Sequence, residues 1–208
     1  MKLSSLILGL SIVPYIFAAD SPEIEDGFEK VTCASTVKLT NKANGHKLHS
    51  HGVSYGSGSG QQSVTGFAAA DDGNSFWMIE ASSGKYCSRG EPVACGSTIR
   101  LRHTNTKSYL HSHNHKSPLS NQQEVSCYDG QDQGDNWKVE CLEKGDKYWI
   151  REKPIQLVHQ ESNTYLSSFQ QHQFGQPIPG QLEVACAKGA SKNSVWMAQE
   201  GVYFASLV

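Results

Sequence analysis

Three stretches of this chain can be laid on one another. "VKLTNKANGHKLHSH" from Val37, "IRLRHTNTKSYLHSH" from Ile99 and "IQLVHQESNTYLSSF" from Ile155 each open apolar-x-Leu. Each reaches a second leucine eleven residues after its start, at Leu48, Leu110 and Leu166. A polar loop then leads to "QQSVTG", "QQEVSC" or "QLEVAC", anchored by Val64, Val125 and Val184, and each stretch closes on a tryptophan: Trp77, Trp137 and Trp196. The tryptophans are 60 and 59 residues apart. One such unit is too small to bury its own apolar face, so the three must share a core.

The spacing inside each unit is that of strands. Val37-Lys38-Leu39, Ile99-Arg100-Leu101 and Ile155-Gln156-Leu157 alternate apolar and polar, as do Trp77-Met78-Ile79, Trp137-Lys138-Val139 and Trp196-Met197-Ala198. This period predicts a sheet with one buried face and one polar face. Asn-Gly, Ser-Gly and Asp-Gly turn dipeptides lie between the runs. No segment sustains an apolar stripe at helical period. Three copies of about four short strands predict an all-β β-trefoil with pseudo-threefold symmetry, six strands closing a barrel and three hairpins capping one end. A two-sheet sandwich leaves the triple repeat unexplained. The trefoil is expected over residues 31–204, with repeats at about 31–83, 95–142 and 148–204. Leu48, Leu110, Leu166, Val64, Val125, Val184, Trp77, Trp137 and Trp196 are its expected core. The tail "QEGVYFASLV" is expected to tuck against the barrel through Val202, Tyr203 and Phe204.

Residues 1–19 stand apart. "MKLSSLILGLSIVPYIFAAD" carries one lysine, an apolar run from Leu3 to Phe17 and small residues at Ala18 and Ala19. That is the pattern of a secretory signal peptide, and its run is shorter than the roughly 20 residues a membrane span needs. No membrane span is expected elsewhere. Residues 20–30 form an acidic lead-in. Removing Lys2 with the leader takes the formal charge of −2 to about −3, which disfavours bulk affinity for nucleic acid or an anionic membrane.

An even count of six cysteines in a secreted chain reads as a disulfide framework. Cys87–Cys95 spans a turn-rich tip; Cys127–Cys186 joins matching positions of two repeats; Cys33–Cys141 links two repeat starts. All three pairings are expectations from placement along the chain. None of the cysteines has zinc-finger spacing.

The quoted segments "LHSHGVSYGSGSGQQSVTG", "GNSFW", "LHSHNHKSPLS", "QEVSC" and "AQEGVYF" resemble the stromal cell-derived factor 2 family of MIR-domain proteins, over about Phe28 to Tyr203. The resemblance implies a β-trefoil in the lumen of the endoplasmic reticulum, without catalytic activity or cofactor. It implies partners too: a luminal J-domain co-chaperone, the luminal Hsp70 and misfolding client proteins, with links to the unfolded-protein response and to O-mannosylation quality control. Several relatives end in a KDEL-like tetrapeptide, whereas this sequence reads "FASLV", so retention is expected through a partner, with some secretion.

Several residues invite a sharper reading. His49 and His51, and His111 and His113, have the H-x-H spacing that puts two imidazoles on one strand face. The third repeat has Ser167-Ser168-Phe169 there, so no threefold histidine cluster forms and no metal is expected. No nucleophile elbow or singled-out carboxylate pair marks an enzyme. The run Ser54, Tyr55, Gly56, Ser57, Gly58, through Gln61 and Gln62, lacks the Lys-Ser/Thr ending of a phosphate loop. With His49, His51, His111 and His113 beside it, this exposed excursion is the candidate interaction surface. The alternative is a lectin-like trefoil binding mannose or O-mannosyl glycans, with Tyr55, Tyr109 and Tyr165 stacking on sugar rings. Only Tyr109 and Tyr165 are at equivalent positions, where the first repeat has Lys47.

Overall fold

The computed structural model describes residues 23–206. The leader expected over 1–19, and the first residues of the lead-in, lie outside the described residues. The first repeat contributes β1 (Thr36–Asn41), β2 (Lys47–Ser54), β3 (Gln62–Phe67) and β4 (Trp77–Ala81). The second contributes β5 (Thr98–His103), β6 (Tyr109–Lys116), β7 (Gln123–Tyr128) and β8 (Trp137–Cys141). The third contributes β9 (Ile155–His159), β10 (Thr164–Gln173), β11 (Leu182–Ala187) and β12 (Trp196–Val202). A short 3-10 turn precedes each tryptophan strand, at Gly73–Ser75, Gln133–Asp135 and Lys192–Ser194.

Six strands pair in a ring, β1–β4–β5–β8–β9–β12 and back to β1, all antiparallel. The hairpins β2–β3, β6–β7 and β10–β11 cap it and pair with one another through β3, β7 and β11. This is the closed, edge-protected trefoil. The opposite end is closed by a cycle of backbone bonds. Val93 N donates to the Val31 carbonyl (3.0 Å), Trp149 N to that of Val93 (2.8 Å), and Val31 N to that of Trp149 (2.8 Å).

The nine repeat landmarks are all fully buried. Burial alone does not orient an indole. Each ring is aimed by a hydrogen bond, with Trp77 Nε1 donating to Leu48 O, Trp137 Nε1 to Leu110 O and Trp196 Nε1 to Leu166 O, all at 2.8 Å. The acceptor is a backbone carbonyl, so the bond fixes each indole against that point of the hairpin strand, while the leucine side chain itself fills the core. Trp149 is also fully buried, with no partner for its Nε1 among the described residues.

Three expectations are corrected. The outer face of the apolar-x-Leu strands is not solvated: Lys38 is only 1% exposed, and Arg100 and Gln156 are buried too. The neighbouring loops fold over that face and supply partners. Lys38 Nζ donates to Ala70 O (2.5 Å) and to Glu200 (2.8 Å), Arg100 Nε to Ala81 O (2.9 Å), and Gln156 Nε2 to Ser194 Oγ (2.7 Å). In the tail, Tyr203 is buried but Val202 is 64% exposed, because strand alternation turns its side chain outward.

The expected disulfide pairings all give way to another set. The bridges are Cys33–Cys87 and Cys95–Cys141, with Cys127 and Cys186 free and buried. Each bridge ties the opening of a repeat to a segment at or beyond that repeat's last strand. At the matching place in the third repeat, Arg151 lies 3.8 Å over the Tyr203 ring. Cys127 and Cys186 occupy matching positions but cannot meet. Cys186 sits opposite Gln123 on β7, and Cys127 is four residues along that strand, about 13 Å away. A bridge needs Cα atoms within about 7 Å. Burial pushes the Cys127 thiol up to about 12 and that of Cys186 to about 11, so neither is a nucleophile at neutral pH.

Candidate functional site

Each 3-10 turn starts from a capping residue five positions before the tryptophan: Asp72, Asp132 or Ser191. The first histidine of each L-H-S-H segment packs against this turn. His49 Nδ1 lies 2.6 Å from Asp72 Oδ2, and His111 Nδ1 lies 2.9 Å from Asp135 Oδ1 and 3.5 Å from Asp132 Oδ1. Burial draws His49 below its ordinary pKa, against the pull of the Asp72 hydrogen bond and charge. Burial would raise Asp72, but bonds from Ser75, Asn74 and His49 hold its carboxyl below the usual range.

The second histidines lie at 5.1 Å (His49 to His51) and 5.0 Å (His111 to His113) between ring centroids. They do not form a shared chelate. His111, Asp132 and Asp135 do bring three ligand atoms within 4.8 Å of one another. All three are already committed to the turn: Asp135 Oδ2 accepts from Asp132 N (3.0 Å), and Asp132 Oδ1 accepts from Gly134 N (2.8 Å). The arrangement works as a helix cap with a histidine packed on it.

The Gly-Ser excursion divides in two. Ser54, Gly56, Ser57 and Gly58 are exposed, while Gln61 and Gln62 are half-buried. Tyr55 is buried, its hydroxyl 2.9 Å from the Val64 and Val125 carbonyls, and burial raises its pKa. The tip is pinned by Glu124, a fully buried carboxylate that accepts from Ser59 N (3.2 Å), Ser59 Oγ and His113 Nε2 (2.9 Å). Gly58 has φ +66°, and a Cβ there would run into Glu124. Glu183 does the same in the next repeat, accepting from Leu119 N (2.7 Å) and Ser120 N (3.0 Å). Spacing along the chain does not reveal these two acids. The only trace is a Glu before the anchor valine in "QEVSC" and "LEVAC".

A family model described as the MIR domain matches residues 45–198. A stromal cell-derived factor 2-like protein of Dictyostelium discoideum is 46% identical, over 98% of this chain and 99% of its own length. The chain belongs to the stromal cell-derived factor 2 family. Human stromal cell-derived factor 2 is 47% identical over 83% of this chain and 82% of its own. The crystal structure of the SDF2-like protein from Arabidopsis thaliana superposes with a TM-score of 0.83 at 39% identity, covering 86% of this chain and 99% of that one.

Among stromal cell-derived factor 2 relatives, then, this member's candidate surface can be sorted by accessibility. His49 and His111 are buried and, like Tyr55, support the surface from below; His51 and His113 are half-buried. Of the three tyrosines in the stacking set of the lectin alternative, two are withdrawn from the surface and Tyr165 is half-buried. Tyr55 and Tyr109 are in the core, the latter with its hydroxyl donating to Glu80 (2.8 Å) and Arg100 4.5 Å over its ring. A feature that sequence reasoning missed is Tyr86, 87% exposed. It stands beside a hollow of about 320 Å³ lined by Met78, Ile79, Ala81 and the Cys33–Cys87 bridge, with Lys85 alongside. No helix among the described residues is long and apolar enough to cross a membrane.

Proposed function

We propose that the chain is a non-enzymatic protein-binding module of the endoplasmic-reticulum lumen. It acts with a J-domain co-chaperone and the luminal Hsp70 to keep misfolding clients in solution during the unfolded-protein response. The observation that carries this reading is the family match along 98% of the chain. The MIR domain is itself a binding module, and the fold suits that role, because a closed barrel holds still while loops recognise other molecules. The Tyr86 ledge suits contact with a partner protein, since a rigid exposed aromatic beside an apolar hollow is the usual composition of an interface anchor.

The test is capture from endoplasmic-reticulum lysate by the immobilised chain, with and without competing mannose. Capture of a J-domain protein and Hsp70, indifferent to sugar and reduced by Tyr86→Ala, supports the proposal. Failure of the wild-type chain to retain either protein refutes it.

A further inference from the structure

The two disulfides differ in what surrounds them. Cys33 and Cys87 line two hollows beside Tyr86, of about 320 and 380 Å³, whereas Cys95 and Cys141 line neither. The two sulfurs of the first bridge are unequal as well. Cys33 is 6% exposed, and its N–H donates to Glu91 O (2.8 Å), while Cys87 is half-buried. A thiol entering a hollow therefore meets Cys87 first.

Cys87 also belongs to a segment with few other ties. Ser83 N donates to Asn136 Oδ1 (2.9 Å) and Gly90 N to Cys33 O (3.1 Å), which fixes the two ends. Between them the hydrogen bonds are local, from Lys85 N to Ser82 O (2.9 Å) and from Ser88 N to Glu91 Oε2 (2.9 Å). Arg89 adds a contact 4.9 Å over the Phe204 ring. Residues 83–89 form no strand, so the bridge is what draws the middle of this segment, and Tyr86 with it, onto the barrel. At the second bridge the sheet does that work. Cys141 pairs with Ile155 between β8 and β9, and Cys95 N donates to Lys147 O (3.0 Å).

The smaller hollow suits an anion. Its one carboxylate, Glu80, is balanced by Arg100 (3.3 Å) and Arg102 (3.7 Å) and accepts from the Tyr109 hydroxyl (2.8 Å). That leaves the charge of exposed Lys85, which makes no ion pair among the described residues. The larger hollow carries the exposed Glu91 as well, so a thiolate is favoured on the Met78 side.

We propose that Cys33–Cys87 is an exchangeable disulfide, opened in the folded protein by a small thiolate of the glutathione type, which goes beyond the protein-binding reading above. The thiolate's electron pair forms a bond to Cys87 Sγ. The Cys33–Cys87 bond breaks, and its pair leaves on Cys33 Sγ, which takes a proton from water. Cys33 Sγ lies 4.0 Å from Ile79 O, an acceptor for the new thiol. Attack by Cys33 on the mixed disulfide expels the small thiol and restores the bridge, so the cycle needs no separate oxidant. Opening releases residues 83–89 with Tyr86 and leaves the barrel closed, since no strand lies in that segment.

The test is incubation of the folded mature chain with reduced glutathione, followed by acid quenching, alkylation and peptide mapping. Cys33–Cys87 should open roughly tenfold faster than Cys95–Cys141 or more, with the adduct on Cys87 and the far-ultraviolet circular dichroism native. Lys85→Glu should slow opening by about threefold or more at low salt. Trypsin reports the released segment in the wild-type chain. Cleavage after Lys85 and Arg89 should speed up by roughly tenfold on opening, and Cys87→Ser should show the fast cleavage without any thiol. If Cys87→Ser does not fold, the wild-type rates and tryptic maps decide alone. Equal opening of the two bridges, an adduct on Cys33, opening only with loss of the native spectrum, no slowing by Lys85→Glu, or cleavage unchanged by opening overturns the proposal.

Discussion

Trp137 and Trp149 are both fully buried, but among the described residues only the Trp137 indole N–H is hydrogen-bonded. That pair isolates what the indole N–H contributes. Replacing either with phenylalanine removes about three heavy atoms from the core, at a cost of about 1–2 kcal/mol in lost packing. Trp137→Phe also takes the donor away from Leu110 O, adding about 1–2 kcal/mol for a bond lost inside the core. Trp149→Phe breaks no side-chain hydrogen bond among the described residues and removes a buried polar group that has no partner there, which offsets some of its packing loss. Trp137→Phe should therefore be less stable than Trp149→Phe by about 1–2 kcal/mol. For a domain of this size that is a difference of roughly 2–8 °C in Tm. Urea unfolding followed by far-ultraviolet circular dichroism measures both, with equal m-values securing the comparison. Trp77→Phe and Trp196→Phe should match Trp137→Phe, since they break the same bond to Leu48 O and Leu166 O. Equal losses for Trp137→Phe and Trp149→Phe, or a larger loss for Trp149→Phe, would refute the idea that these bonds orient the core.

Non-reducing peptide maps should show Cys33–Cys87 and Cys95–Cys141, with Cys127 and Cys186 alkylated only after denaturation. Closing loops with sequence separations of 54 and 46 residues should contribute about 4 kcal/mol each on the chain-entropy model, so reduction should lower Tm sharply. Burial draws His103 and His159 below their ordinary pKa, against opposing hydrogen bonds to Asn74 O and Gly134 O. The unfolded chain then binds protons first, so stability should hold above about pH 6.5 and fall as the pH drops from there towards the folded values. Asn41 fills the matching place in the first repeat and donates to Asn193 O at 2.8 Å. His103→Asn with His159→Asn should therefore flatten that slope, and an unchanged slope in pH-dependent urea melts would count against the assignment.

The sequence by itself determined the threefold plan. Leucines, valines and tryptophans in register three times define strands that bury one face and a core that only three units together can fill. It also carried the family resemblance, because "LHSH" and "YGSGSGQQ" lie in the hairpins where the repeats meet one another. The cysteine pairings depended on tertiary structure, since matching positions in a pseudo-symmetric fold lie apart around the axis while each repeat's two ends come together. Tertiary structure also decided which polar residues are hidden. Lys38, Glu124 and Tyr55 look exposed in a pattern of alternating strands, yet loops from elsewhere in the chain close over them. The hollow at Tyr86 is built across two repeats. Cys33, Met78 and Arg100 are far apart in the chain, and only closure of the barrel sets them around it.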